Sequence, residues 1–479
     1  AEDGIRDCLL SRGLGDVYKR QIKYGADLNE GRTNISVMFD FYDRDSIAAS
    51  EDPRWGDSDH RKWIPSDSLW ANDSSFNNRY SGKWAQLDLR GTTDYSDSRG
   101  EIQIMPSTDP RCSRSDSIDT GYGTCLGVDT TSLANGEYYI NPGQFRDYRG
   151  ELERDNTFIF INHELENGNE LFAELGQYNS DYRRLKEPAG DFSTALLNIG
   201  PEYYYTNLLG INADNSSSNK NIRIDNWRPD IGPRIINVEK ETSRFLIGLR
   251  GTTDSGWDWE TAILSSKAES EDFTQNRLSN SLLEAGLADS TSNAINIFSS
   301  DVKTALAPAI IDVFRNDTSE LNSFDFKASN PEIFNMPAGP VAMLVGYEYR
   351  KEEYSDDRDP RLDGTITYTD YENDTYPEIG DVVNSSPTGD VSGERNTLSL
   401  FTEAQIPLAE NVNAQLALRY ENMSDVEDSL VSKLAICWEI SDSVLFRASA
   451  STSFRAPNIV QINEKIVVRS GTRYDWAMY

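Results

Sequence analysis

Hydrophobic and polar residues alternate over short stretches along most of this chain. The clearest stretch is 444–458 (VLFRASASTSFRAPN), where Val444, Phe446 and Ala448 fall on one side of an extended backbone and Arg447 falls on the other. Alternation with a period of two is the pattern of a β-strand with one apolar face. The strand is predicted to end before the proline of this segment, because proline has no N–H to donate to a sheet.

Stretches of the same kind recur in pairs that are separated by short turns. The predicted hairpins are 156–163 with 169–182, 244–251 with 257–268, 397–407 with 412–421, and 431–440 with 444–452, and further strands are predicted at 34–43, 322–328 and 340–350. With shorter pieces included, the pattern predicts roughly a dozen strands of about ten residues, which is the length that crosses a bilayer when a strand is tilted.

Long polar segments separate some of these strands. Residues 44–155 are rich in Asp, Ser, Gly and Trp, with short strand-like pieces at 83–91 and 100–105. Residues 351–395 are strongly acidic and contain four tyrosines, Tyr354, Tyr368, Tyr371 and Tyr376. This composition fits a solvated loop or a loop that contacts a ligand.

The segment 277–314 has the spacing of helices instead of strands. Apolar residues recur at Leu282, Leu283 and Leu287, and later at Val302, Leu306, Ile310 and Val313. Pro308 is predicted to interrupt the second helix or to begin another. We expect a helical excursion within a long loop.

A sheet of a dozen long strands must close on itself if it lies in lipid. An open edge would leave N–H and C=O groups unpaired at a cost of several kcal/mol each. The polar faces carry Ser, Asp, Glu, Arg, Gln and Tyr, which suit a wet lumen and not a dry sandwich core. The sequence therefore predicts an all-β fold, a transmembrane antiparallel β-barrel with long polar extracellular loops, one of which has short helices.

Composition agrees with this fold and narrows the function. The 479 residues are 37% hydrophobic and their mean hydropathy is −0.60, which a barrel tolerates because only alternate strand residues face lipid. The formal net charge of −33 repels a phosphate backbone, so no nucleic-acid partner is expected. The same charge fits a solvated acidic surface or an acidic vestibule that attracts cationic or metal-bearing ligands.

The cysteines give one candidate covalent link. Cys112 and Cys125 lie in a polar loop and could close a short disulfide in an oxidising compartment, but a spacing of two cysteines does not decide whether they pair. Cys437 lies on a predicted strand, on the face opposite its apolar neighbours, and is expected to be a small wall residue.

The two histidines do not form a recognisable catalytic or metal motif. His60 lies near Asp57 and Asp59, which fits a solvated loop better than a metal site, and His163 lies at a strand end. Neither is part of an HExxH motif or another such signature. No catalytic, cofactor-binding or metal-binding residue is therefore predicted.

Residues 1–21 (AEDGIRDCLLSRGLGDVYKRQ) do not follow the pattern of the rest. Their apolar stretch is too short for a signal peptide, and they resemble the translated adapter sequence that can head metagenomic reading frames. We expect a non-native leader over 1–21, which includes Cys8, and a partial barrel over 22–479.

Four segments carry a resemblance to a known family: 23–47, 321–354, 399–425 and 444–458. In these segments the chain resembles the β-barrel portion of TonB-dependent outer-membrane receptors. The most specific part is a motif to which we assign a structural role, ending a strand and pairing inside the wall. It consists of Ser453, Phe454, Arg455, Ala456 and Pro457.

The resemblance implies a location, a mechanism and partners. Family barrels have about 22 strands and a plugged lumen, so we expect a fragment with a gap, without the plug domain, the TonB box and the last strands. The implied function is uptake of a scarce nutrient across the outer membrane of a Gram-negative bacterium, with energy delivered through TonB. The implied partners are outer-membrane lipid, TonB and a small ligand (siderophore, haem, cobalamin or oligosaccharide), and no cofactor is implied.

Two other functions share the all-β pattern. A passive outer-membrane porin has the same kind of wall but no plug. A secreted all-β carbohydrate-active enzyme would need a catalytic constellation, and plentiful carboxylates in an acidic chain do not identify one. We expect a transport receptor and not an enzyme.

Overall fold

The computed structural model describes residues 17–71, 73, 76–77, 82–88, 101–127, 138–190, 197–211, 222–225, 227–370 and 373–464. Within them the chain forms an antiparallel sheet of 12 strands, a sheet of 6 strands and two sheets of 2 strands. We call the twelve-stranded sheet the wall. We call the six-stranded sheet, with the helices packed against it, the cap.

The strands are β1 (Val17–Leu28), β2 (Thr33–Arg44), β3 (Ile47–Ala48), β4 (Gln86–Asp88), β5 (Glu101–Pro106), β6 (Ile118–Asp119), β7 (Thr124–Gly127), β8 (Asp147–Arg149), β9 (Glu151–Glu164), β10 (Glu170–Lys186), β11 (Asn198–Ile199), β12 (Ile222–Asp225), β13 (Arg234–Thr252), β14 (Asp258–Leu278), β15 (Ile310–Met336), β16 (Gly339–Arg358), β17 (Thr367–Thr369), β18 (Thr375–Gly380), β19 (Val391–Ala409), β20 (Val412–Met423), β21 (Ser429–Ser441) and β22 (Val444–Ser451). The α-helices are α1 (Pro53–Gly56), α2 (Tyr204–Leu209), α3 (Asn280–Ala288), α4 (Val302–Leu306) and α5 (Ile459–Asn463).

The wall follows the order β1-β2-β9-β10-β13-β14-β15-β16-β19-β20-β21-β22. Tight turns join the strands at one end, as between β15 and β16, and four long connections leave the other end. These connections are 45–150, 187–233, 279–309 and 359–390. Among the described helices, none is long and apolar enough to cross a membrane.

The four predicted hairpins are confirmed as β9–β10, β13–β14, β19–β20 and β21–β22. The strands are longer than the predicted length of about ten residues. For example, β14 has 21 residues and β15 has 27. As a result, the acidic segment that we assigned to 351–395 begins and ends within wall strands. The part of it outside the wall is 359–390.

The helical excursion is confirmed, but its second half was predicted too long. Val302 and Leu306 lie on α4, whereas Ile310 and Val313 belong to β15. Pro308 lies in a 3-10 turn, Ala307–Ala309, directly after the helix. The α-helix ends there because a proline ring clashes with the preceding helical turn and removes an N–H donor.

The two edges of the wall are β1 and β22. Each pairs with one neighbour, β1 with β2 and β22 with β21, so the wall is open within the described residues, as expected for an incomplete barrel. β1 begins at Val17, and residues 17–21 of the expected leader pair with residues 40–44 of β2. The non-native origin of 1–21 stays a prediction.

Candidate functional site

One face of the wall is apolar across all of its strands. Residues that pair directly across strands share a face, and the pairs Phe446–Trp438 and Phe324–Tyr349 both lie on this face. Its large side chains do not pack against a second layer, since Phe446 is 51% exposed and Ile263 is 53% exposed. An exposed apolar band on a β-wall is the surface that lipid covers in a membrane barrel.

The opposite face is polar and carries ion pairs near the end with the long connections. Asp356 accepts hydrogen bonds from Arg315 at 2.9 and 3.0 Å and from Arg358 at 2.7 Å. Asp317 accepts from Arg315 at 3.0 Å and from the Tyr354 hydroxyl at 3.4 Å. The two acids and two arginines balance each other, so this group joins β15 to β16 without a net charge.

A second charged group lies further along the polar face, on β16, β19 and β20. Arg419 donates to Glu421 at 2.7 Å and to the Ser399 hydroxyl at 2.9 Å, and its guanidinium is 3.6 Å from Glu348. The same guanidinium lies 5.3 Å from the centre of the Phe401 ring. This part of the wall therefore presents charges of both signs and aromatic surface to whatever occupies the interior.

Aromatic rings on the polar face lie against glycines of the neighbouring strand. A methyl group added at Gly248 or Gly346 would overlap the facing ring, and one added at Gly176 would lie only 3.0 Å from it. Each ring therefore packs directly against the backbone of the neighbouring strand. The directly paired residues are Phe158 with Gly176, Phe172 with Gly248, and Phe401 with Gly346. The alternation pattern of single strands does not show these pairs, because a Phe and a Gly become neighbours only once the register between two strands is known.

The four long connections share one hydrophobic core in the cap. Each contributes residues that are no more than 2% exposed: Leu87 from the first connection, Leu197 from the second, Leu283 from the third and Val383 from the fourth. The core contains large side chains such as Trp227 and Tyr203, and burial raises the pKa of the Tyr203 hydroxyl. The expectation of separate polar loops is therefore wrong for these connections, because their scattered apolar residues meet in one core.

A buried carboxylate ties two of the connections together. Asp381 is fully buried and accepts from the Ser279 hydroxyl at 2.9 and 3.0 Å and from the Ser281 N–H at 2.9 Å. It also forms an ion pair with Arg361. Ser279 in turn caps α3 by accepting from the Leu282 N–H at 3.1 Å. We call this group the Asp381 junction.

Tyrosines of the acidic segment take part in packing. Tyr368 is 2% exposed, donates to Glu284 at 3.3 Å and stacks on Tyr376 with ring centres 5.6 Å apart. Burial raises the pKa of Tyr368, and the negative charge of Glu284 raises it further. Tyr354 lies on the wall, and Tyr371 lies outside the described residues. Tyr368 and Tyr376 thus form a small cluster of their own on β17 and β18, which the Tyr368 hydroxyl joins to α3.

The sulfur atoms of Cys112 and Cys125 lie at bonding distance, with Cα atoms 5.7 Å apart. The link joins the 3-10 turn that contains Cys112 to strand β7. Beside it, Asp109 accepts from the Arg111 guanidinium at 2.7 and 2.9 Å, and these hydrogen bonds lower the pKa of Asp109. Cys437 is free and partly buried, opposite Arg447.

The segment 453–457 follows the end of β22 and is not part of a regular element. Arg455 is exposed, whereas the Pro457 carbonyl accepts from Arg395 at 2.8 Å. Arg395 lies on β19, is 6% exposed and also donates to Asp425 at 2.7 and 2.9 Å. Arg395 therefore links the motif segment to the wall, a role that sequence reasoning did not find.

The histidine-containing loop has no metal site in the part of the chain that the structure describes. No group of three or more His, Cys, Asp or Glu residues there could hold a metal ion. Asp57 is paired with Lys62 and Asp59 with Arg61, both at 2.6 Å. His163 forms a hydrogen bond with a threonine hydroxyl at 2.8 Å.

The fold and its two faces define an outer-membrane type of β-wall with a folded cap at one end. The sequence profile described as "TonB dependent receptor-like, beta-barrel" matches residues 191–472. The chain therefore belongs to the TonB-dependent receptor family, which comprises outer-membrane transport receptors and not enzymes. No curated protein sequence matches the chain at a significant level.

Solved structures similar to the chain include three receptors. The ferric enterobactin receptor of Pseudomonas aeruginosa has 12% identity and a TM-score of 0.43, with 94% of this chain and 43% of that chain covered. The siderophore receptor PirA of Acinetobacter baumannii has 11% identity and a TM-score of 0.42, with 94% of this chain and 42% of that chain covered. The pyoverdine receptor FpvA of P. aeruginosa has 10% identity and a TM-score of 0.42, with 91% of this chain and 44% of that chain covered. This chain thus spans less than half the length of each.

Proposed function

We propose that the chain forms part of the barrel of a receptor that binds a scarce nutrient at the outer face of the outer membrane and imports it. Family membership supports this proposal. So does the wall, which has an apolar face for lipid and a charged face for a wet interior. The plug domain, the TonB box and energy transfer through TonB are part of the proposal, as is a Gram-negative source.

The single observation that carries the proposal is the shared core of the cap. The connections that build it leave wall strands from β2 to β19, which are seven sheet neighbours apart. At about 4.8 Å per neighbour, these strands are roughly 34 Å apart along the sheet. Connections that leave the wall at such distant points thus meet in one packed core. A passive porin needs an open path for diffusion, so a packed core of this kind favours a receptor over a porin.

The test separates active from passive transport. The complete receptor gene is expressed in two matched hosts that lack their own uptake receptors, one with an intact tonB gene and one without it. Uptake of labelled ferric siderophore, haemin, cyanocobalamin and a hexasaccharide is measured in both. We expect uptake of one of these probes in the intact host alone. Equal uptake in both hosts would favour the porin.

We also propose structural roles for the sequence-predicted residues. The Cys112–Cys125 disulfide should be present in the protein of the outer membrane, where it would stabilise the cap by about 3 kcal/mol for a loop of this length. Residues 453–457 should end β22 and return the chain to the wall. Peptide mass mapping without reductant tests the disulfide. In an Arg395→Ala variant, loss of hydrogen-exchange protection at 453–463 would support the role of residues 453–457 in returning the chain to the wall.

A further inference from the structure

A cavity of about 1090 Å³ opens beside β3, α1 and β8, where the first long connection leaves the wall. Its most prominent residues are Trp55 and Tyr148. Their ring centres are 5.2 Å apart, and their planes are tilted by 38°. Trp55 is 48% exposed and Tyr148 is 56% exposed, so the two rings form an open aromatic surface and not a buried contact. We call this cavity the rim cavity.

Buried polar contacts hold the backbone around Trp55 in place. The Asn141 side chain, 8% exposed, donates to the Gly56 carbonyl at 2.8 Å and accepts from the Ser58 N–H at 3.0 Å. Gly143 donates its N–H to the Ser58 hydroxyl at 3.2 Å, and a Cβ there would lie 2.6 Å from the Trp55 carbonyl oxygen. The backbone that carries Trp55 is therefore fixed before any ligand arrives, which lowers the entropy cost of binding.

The second ring and the polar groups of the rim cavity are also positioned. Tyr148 lies in β8, where the neighbouring Arg149 pairs with Ile47 of β3. The Arg149 side chain is exposed and has no carboxylate partner within the described part of the chain. Glu51 accepts from the Ala48 N–H at 2.9 Å, which leaves acceptor capacity on its carboxylate. A guanidinium and a carboxylate thus line the same cavity as the two rings.

This combination matches the surface of a sugar ring better than that of a cation or a flat aromatic chelate. A pyranose presents C–H groups that pack on an aromatic face and hydroxyls around its edge that bond to charged side chains. The cavity lining carries two carboxylates, Glu51 and Asp52, and two guanidinium groups, Arg54 and Arg149, so it has no net charge to attract a cation or an anion. The tilt between Trp55 and Tyr148 does not form a parallel slot for a flat ring system. The volume exceeds that of a single-residue pocket and suits several linked units.

We propose that the rim cavity is a binding subsite for a neutral oligosaccharide. One pyranose ring stacks on Trp55 or Tyr148, and its hydroxyls bond to Arg149 and Glu51. This deepens the proposed function by naming a ligand class for the receptor. Binding itself needs neither a plug nor TonB, so it can be measured apart from transport.

The experiment titrates the purified chain with maltohexaose, cellohexaose and xylohexaose up to the millimolar range. The detergent is an amine oxide, because maltoside and glucoside detergents would compete as sugars. Tryptophan fluorescence and calorimetry report binding. We expect at least one hexasaccharide to bind, and Trp55→Ala and Tyr148→Ala each to weaken it by about fivefold, since a ring contact is worth roughly 1 kcal/mol. Trp63→Ala is the matched control, because Trp63 is 51% exposed and does not line the cavity.

Two results would overturn the proposal. One is the absence of binding by all three hexasaccharides to a chain with native near-ultraviolet circular dichroism. The other is binding that Trp55→Ala leaves unchanged, or that Trp63→Ala weakens equally. Binding of a ferric tricatecholate chelate in place of the sugars would also reject the saccharide assignment. None of these results bears on TonB-dependent uptake, which the two-host assay measures separately.

Discussion

The Asp381 junction offers a direct test of the claim that the cap is a folded unit. In an Asp381→Ala variant, the Arg361 guanidinium and the Ser279 hydroxyl lose their acceptor, and so does the Ser281 N–H. Ser279 and Ser281 lie at the start of α3, whereas Arg361 belongs to the fourth connection, as Asp381 does. We therefore expect the variant to loosen the contact between these two segments.

The magnitude follows from burial. Removing one partner of a buried ion pair costs about 3–5 kcal/mol. Arg361 is 25% exposed, so water can solvate part of its charge, and we take the lower end of about 3 kcal/mol. Since every 1.4 kcal/mol is a factor of ten, local opening should become more frequent by a factor on the order of 100.

Hydrogen exchange followed by mass spectrometry measures this opening segment by segment. Amides of α3 and of 378–385 should exchange on the order of 100-fold faster in Asp381→Ala, while those of β14 and β15 should keep their protection. Asp363→Ala is the matched control, because the Asp363 carboxylate lies in the same connection and bonds to Thr365 two residues away. Its effect should stay within about 0.5 kcal/mol.

Two outcomes would refute this reasoning. Unchanged protection in α3 would show that the junction does not hold the two connections together. Equal loss of protection in the cap and in β14 would show that the cap and the wall open as one unit. An Asp381→Asn variant keeps the shape of the side chain and should fall between the wild type and Asp381→Ala, because the amide oxygen still accepts hydrogen bonds.

Three further predictions concern the wall and the cap. Gly346→Ala should destabilise the wall by about 1–3 kcal/mol, because the added methyl group overlaps a facing ring. Gly25→Ala is the control: no atom lies closer than 3.8 Å to the added Cβ, so the stability of the wall should change by less than about 0.5 kcal/mol. Urea unfolding in detergent compares the stabilities of the two variants. Leu400→Arg on the apolar face should cost about 2–4 kcal/mol in lipid vesicles, and an unchanged stability would contradict the lipid assignment. The hydrogen bond from Arg111 lowers the pKa of Asp109 in the folded state. The ionised Asp109 carboxylate therefore contributes its full stabilisation of the fold above about pH 4, and this contribution disappears as the pH falls through the pKa of Asp109 in the folded state. The difference in melting temperature between the wild type and Asp109→Asn should accordingly shrink on acidification.

The wall could be predicted because its pattern is local. A strand between lipid and water must alternate, so Phe446 and Arg447 identify their faces without knowledge of any partner strand. The same argument explains why strand ends were misplaced. Residues of β14 and β15 beyond the apolar band no longer need to alternate, and the pattern therefore fades before the strands end.

The cap could not be predicted in the same way. Its strands have two to six residues, such as Gln86–Asp88 and Asn198–Ile199, and they come from connections that are far apart in the sequence. A strand of two or three residues with a single apolar side chain does not show which other strand it will pair with. The link from Arg395 to Asp425 and the Pro457 carbonyl is hidden for the same reason, since each partner alone is an ordinary surface residue.

The length of the central strands determines how far the receptor mouth stands from the bilayer. The 21 residues of β14 extend about 70 Å at roughly 3.3 Å per residue. With a tilt of about 40°, this corresponds to a height of roughly 53 Å, and the apolar band of a barrel takes up about 25 Å of it. The remainder extends beyond the apolar band toward the cap, which therefore stands clear of the lipid headgroups.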